Sequence, residues 1–310
     1  MRPTLQLARD PRWLQLAFLA AFLAFGLLAR DFPLWHAPLI FASGLFTQWA
    51  CVRWLAPRLT ATDPAGRPPL APPPAHAPPF PDAWASGSSL FLSAGITCFG
   101  LTLLLRTDRP WIALAAPAIA MLGKFLLRVR GRHLFNPANL GLCAVMLLSP
   151  HAWVSPAQWG EQAAALLCFG ALGLAAAHRA FRSDLSLAFM AAWSAEQAAR
   201  GLWLGQRAAV LWHQLAQPSL LLFAFFMISD PKTTPLRRDA RLAYATTVAA
   251  VAHALQHGAF VKSPLIWALL VCAPLVPALD WLGDRFDQRR ITESRTAPSP
   301  ALHGASLEST

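Results

Sequence analysis

The chain has 310 residues, of which 55% are hydrophobic and only 13% charged, whereas a soluble domain carries about 25% charged residues. That excludes an ordinary soluble enzyme domain. The net charge of +11 does not point to nucleic acid either, because the basic residues gather at the ends of apolar runs and no nucleic-acid motif accompanies them. The composition describes an all-α, polytopic helical membrane protein embedded in a lipid bilayer.

Ten spans are predicted in chain order: Trp13–Leu28, Leu34–Val52, Trp84–Leu105, Trp111–Leu127, Asn136–Leu148, Gln162–Ala177, Leu185–Ala199, Ala208–Ser229, Leu242–Val261 and Ser263–Leu279. Several fall short of the roughly 20 residues that a perpendicular helix needs, so broken helices are expected. The fifth is the shortest and reads as a half-helix. The first ends in Ala29-Arg30-Asp31, a poor cleavage site, and reads as an uncleaved anchor. With the N-terminus inside, the inner ends carry 20 of the 26 Lys and Arg residues and the outer ends 6. This split obeys the positive-inside rule and puts both termini in the cytoplasm. The map divides the chain into two first spans (1–55), a Pro-rich cytoplasmic linker (56–82), a transmembrane core (83–282) and a disordered polar tail (283–310). The linker stretch Ala56–Asp82 holds 10 of the 27 prolines and is expected to be extended or disordered.

Two polar phrases interrupt this apolar background. Phe135-Asn136-Pro137-Ala138-Asn139-Leu140 follows an arginine-rich helix end (Arg128, Arg130, Arg132, His133). Asp230-Pro231-Lys232-Thr233-Thr234-Pro235 follows the eighth span. Irregular backbone at membrane depth is tolerated only where it is buried in protein or lines a cavity. Asn136 and Asn139 either cap the fifth helix or hold a ligand or cation, two roles that are compatible. Asp230 is either a turn cap ahead of Pro231 or a ligand for a cation or a flavin nitrogen. Each phrase lies at an inner span end beside cationic residues, so the two are expected to converge on one cytoplasm-facing site.

Other polar residues in the spans invite functional readings. Lys124 lies near a helix end and is expected to snorkel. Glu196 is a candidate for proton or cation handling. His253 and His257 share a helix face at i, i+4, a spacing that suits either metal ligation or polar packing. The metal content is left open. The five cysteines lie inside apolar runs without clustered spacing and read as packing residues.

The phrases Phe135-Asn136-Pro137-Ala138 and Met227-Ile228-Ser229-Asp230-Pro231, with the ten-span layout, resemble the RnfD/NqrB family. Its members are membrane components of the Rnf electron-transport complex and of the sodium-pumping NADH:quinone oxidoreductase. The longer forms of the phrases look most like a divergent branch found beside enediyne biosynthesis genes. The resemblance implies a multi-pass protein of the bacterial inner membrane that carries flavin, works with other membrane subunits and couples electron transfer to cation movement. Typical members bind FMN through a threonine in an outer loop. The corresponding loop here, Ser149–Gly160, has no threonine, so a non-covalent flavin (FMN or riboflavin) is expected in place of covalent FMN. The candidate cofactor-binding residues are Asn136, Asn139, Asp230, Thr233 and Thr234. The alternative is a transporter or channel for a small solute or cation on a related scaffold.

Overall fold

The computed structural model describes residues 12–28, 33–55, 87–155, 173–174, 178 and 182–296. The Pro-rich linker 56–82, almost all of the sixth predicted span and the last fourteen residues lie outside the described residues.

Helices dominate. The first half contains α1 (Arg12–Leu28), α2 (His36–Ala50) running into a π-helical turn at Cys51–Leu55, α3 (Gly87–Leu104), α4 (Pro110–Leu126) and α5 (Pro137–Leu148). The second half contains α6 (Ser183–Trp203), α7 (Ala208–Leu215), α8 (Pro218–Leu222) with a π-helical turn at Phe223–Met227, α9 (Arg238–His257), α10 (Pro264–Cys272) and α11 (Leu275–Thr296). Nine of the ten predicted spans therefore have a helical counterpart. No single described helix is long and apolar enough to cross a membrane. Two bent pairs reach that length together: α7 with the α8 and π segment, bent by 50°, and α10 with α11, bent by 41°. Pro218 and Pro274 stand at these breaks, where each removes an amide donor and crowds the preceding turn.

The chain is mostly helical, consistent with the all-α expectation, and two short antiparallel ribbons close helix ends. Strand β1 (Leu105–Thr107) pairs with β4 (Ala152–Val154), Arg106 opposite Trp153. This ties the C-terminal end of α3 to the loop after α5. Arg106 turns back and donates to the carbonyls of Thr102, Leu103 and Leu105 at 3.0–3.1 Å, satisfying acceptors at the buried C-terminal end of α3. Strand β2 (Arg128–Val129) pairs with β3 (Arg132–His133). The stretch read as an arginine-rich helix end is thus a hairpin. Arg130 and Gly131 both have positive φ, 52° and 76°, which is the backbone of a type I′ turn.

The tail also departs from expectation, because α11 continues to Thr296 and makes 283–296 helical. Two contacts explain its early turns: Arg285 lies 3.9 Å over the Trp281 ring, one turn earlier, and Asp284 pairs with Arg130 of the hairpin at 2.7 Å.

One hydrophobic core runs through the bundle. Helix α4 packs between α2 and α5, α9 between α6 and α10, and α10 touches α5, joining the halves. Small residues permit the close approach of α4 and α5. A Cβ at Gly141 would meet the Ala116 carbonyl oxygen at 2.5 Å, so only glycine allows this spacing. Stacking of Phe18 on Phe226, with centroids 4.8 Å apart, fastens α1 to the π-helical turn that precedes the second polar phrase.

Candidate functional site

The two polar phrases meet, as their shared charge environment predicted. Asn136 is the N-cap of α5: its Oδ1 accepts from the Asn139 amide at 3.1 Å. The same side chain reaches across the bundle, where its Nδ2 donates to the Met227 carbonyl at 3.2 Å. That carbonyl belongs to the π-helical turn, whose widened ladder leaves acceptors for such partners. One asparagine therefore closes one helix and anchors the end of another.

Arg132 makes the second connection. Its guanidinium donates to the carbonyls of Pro231 (3.1 Å), Lys232 (3.2 Å) and Thr234, and pairs with Asp280 at 2.9 Å. Asp280 also accepts from the Leu236 amide at 2.8 Å. A planar fork with five donors suits this multiple capture. The β2–β3 hairpin sets the position of Arg132, and the 230–236 turn supplies carbonyls because Pro231 and Pro235 prevent it from forming a helix. Burial lowers the Arg132 pKa below its ordinary value, opposed by the nearby Asp280 and Asp230 carboxylates.

The remaining phrase residues are held locally. The Asp230 carboxylate accepts from the Lys232 amide at 3.0 Å, and the Asp230 carbonyl accepts from the Thr233 amide at 3.1 Å. Asp230 is thus a turn cap, one of the two roles open to it. Thr234 is fully buried and its hydroxyl accepts from Arg182 Nε at 2.9 Å. Burial, reinforced by Arg241 and Arg132 nearby, lowers the Arg182 pKa to about 10. Arg241 in turn pairs with Asp184 at 2.6 Å and donates to the Leu236 carbonyl at 2.7 Å.

Two buried atoms at this node stay without a hydrogen-bond partner among the described residues: Asn139 Oδ1 and His133 Nε2. The His133 Nδ1 lies 3.0 Å from the Lys124 carbonyl. Burial first, then the positive charges of Lys124, Lys232 and Arg128, holds the ring neutral, well below the ordinary histidine range. An acceptor left over on Asn139 and an unused ring nitrogen on His133 are features that a bound polar group would satisfy.

The structure therefore brings together all five candidates, Asn136, Asn139, Asp230, Thr233 and Thr234. It adds Arg132, His133, Arg182 and Asp280. Arg132 and His133 adjoin the first phrase and were legible as its flank. Asp280 carries no local signal and is identified only by its long-range contacts.

Other expectations fare differently. Lys124 does not snorkel. It is 3% exposed and donates to Ser93 at 2.9 Å and Gln48 at 3.4 Å, because its face of α4 turns inward toward α2 and α3. Glu196 has one carboxylate oxygen buried with no hydrogen-bond partner among the described residues. The His253 and His257 rings touch at a tilt, with centroids 4.6 Å apart and planes inclined at 60°, and His257 Nε2 meets Gln197 Oε1 at 3.2 Å. No group of three or more metal-ligating side chains occurs among the described residues.

A search of curated proteins finds no match to the chain. A family comparison does match, over a region that contains the second phrase, the Arg182–Thr234 contact and Asp280, and begins just after α5. Residues 152–285 match the NQR2, RnfD, RnfE family, a family of membrane proteins that serve as subunits of electron-transport complexes, and are consistent with an RnfD/NqrB-type member.

Proposed function

We propose that the chain is a membrane subunit of an RnfD/NqrB-type electron-transport system in the bacterial inner membrane, from the divergent branch the phrases resemble. It works beside other membrane subunits and couples redox chemistry to cation movement. The observation that carries this reading is the Arg132 clamp, which joins the Asn-Pro phrase to the second phrase within the family-matched region.

Covalent FMN does not fit the residues present. The loop Ser149–Gly160 contains no threonine, the residue through which typical members of the resembled family hold FMN. A non-covalent flavin fits better at the inner node. There the free acceptor of Asn139 suits a ring N–H, and the unused nitrogen of His133 suits a polar edge of the same group. When bound, a flavin would supply one- and two-electron redox chemistry. The protein's part would be to fix its orientation through Asn136, Asn139, His133 and the phrase at 230–234.

A second reading, a transporter or channel for a small solute or cation, is favoured by the two bent helix pairs, since discontinuous helices line the sites of many transporters. The experiment is a spectrum of the purified full chain before and after denaturation. A flavin band that is lost on denaturation supports the first reading. A fluorescent denatured band overturns the non-covalent assignment, and the absence of any flavin favours the second reading.

A further inference from the structure

A cavity of about 230 Å³ opens beside β4, and no residue of either polar phrase lines it. It sits where the eighth span breaks between α7 and α8 and where α10 begins. Fifteen described residues line it, and none carries a formal charge. Four are glutamines: Gln197, Gln214, Gln217 and Gln256. Trp193 and Phe223 contribute aromatic walls. Irregular backbone borders it as well, since Ser263 on its rim holds φ +56°, a left-handed conformation that non-glycine residues rarely adopt. Such conformations cluster where the surroundings impose them, ligand clamps included.

The amides are oriented. With its proton on Nε2, His257 donates to Gln197 Oε1 at 3.2 Å. Gln197 then donates through Nε2 to Gln256 Oε1, also at 3.2 Å. Gln256 Oε1 accepts this one bond and its Nε2 has no hydrogen-bond partner among the described residues, so the Nε2 can donate to an occupant. Gln214 and Gln217 supply both donors and acceptors.

These features define the occupant. An ion is disfavoured, because burying a charge without a charged partner is costly. A purely apolar ring would leave amides unsatisfied. Size limits the molecule too: a cavity of roughly 150 Å³ holds benzene, so this one holds a single substituted ring and is too small for a flavin nucleotide. We propose that this cavity binds a neutral monocyclic amide or imide, whose ring packs against the Trp193 and Phe223 side chains and whose carbonyl accepts from Gln256. This site is independent of the flavin reading.

The test uses the full chain in nanodiscs and equilibrium dialysis with radiolabelled uracil as the imide probe. Uracil should bind saturably with one site per chain. Cyclohexane-1,4-dione, which only accepts hydrogen bonds, should compete more weakly, and benzoate, an anionic ring, should not compete. Gln256→Leu should weaken binding about tenfold or more while the thermal midpoint and monodispersity hold. Competition in the unaltered protein gives a readout even if that variant misfolds. Absence of saturable uracil binding at millimolar concentration, equal competition by benzoate, or undiminished binding by folded Gln256→Leu would each overturn the proposal.

Discussion

Arg132 is the residue whose loss should matter most to the junction of the two polar phrases. Arg132→Met keeps the aliphatic stem and removes the fork, so the carbonyls of Pro231, Lys232 and Thr234 and the Asp280 carboxylate all lose a donor. Removing one partner of a buried ion pair costs about 3–5 kcal/mol. Here the two side chains are 25% and 10% exposed, so the expected loss lies at the lower end, about 3 kcal/mol. Asp280→Asn retains an acceptor for the Leu236 amide and loses only the charge, with an expected loss of about 1–2 kcal/mol. The double variant should lose less than the sum, giving a coupling of about 1–2 kcal/mol. Arg132→Lys keeps the charge, but a compact ammonium cannot span four acceptors, so it should recover less than half of the loss. The assay is reversible unfolding in mixed micelles for the four proteins of the cycle and the lysine variant. A loss below about 1 kcal/mol for Arg132→Met, full recovery by lysine, or additivity within error would refute the clamp.

Three further outcomes are expected. The distribution of Lys and Arg puts reporters fused after Arg182 and Arg290 in the cytoplasm and reporters within Ser149–Gly160 outside; a C-terminal reporter that reads outside would overturn the map. Gly141→Ala places a methyl 2.5 Å from the Ala116 carbonyl oxygen, which must force α4 and α5 apart, so micellar unfolding should show a loss of about 1–3 kcal/mol; an unchanged transition would mean the helices are not in this contact. His133 is held neutral in the fold, while the unfolded chain takes up a proton near the ordinary histidine value of about 6.5. Its contribution is therefore complete above about pH 6.5 and declines as the pH falls below it, by at most about 1.4 kcal/mol per pH unit. His133→Gln should flatten this acid-side loss in unfolding curves taken from neutral to about pH 5, and parallel curves for the two proteins would exclude the effect.

The helices under the apolar runs and the two polar phrases were legible because they depend on local chemistry. An apolar run of membrane length, an asparagine that caps the helix three residues ahead, and a proline that stops one all act within a few positions. Asn136 and Asp230 sit in the capping roles that their neighbours imply. The Arg130-Gly131 hairpin was missed because arginine is a poor guide to positive φ. The breaks beside Pro218 and Pro274 were masked by the hydrophobicity of the runs around them, although the prolines were visible. Lys124 was assigned to the surface because sequence position shows how near a helix end it lies, not which neighbours its face of the helix meets. Whether the phrases would meet depended on contacts between residues about a hundred positions apart, Arg132 with 231–234, and on Asp280, 148 residues from Arg132. The cavity walled by Trp193 and Gln256 likewise joins helices distant in the chain. Such contacts arise only once the helices are docked, because the free energy that selects them comes from burial and pairing across the bundle and leaves no periodic trace along any one segment.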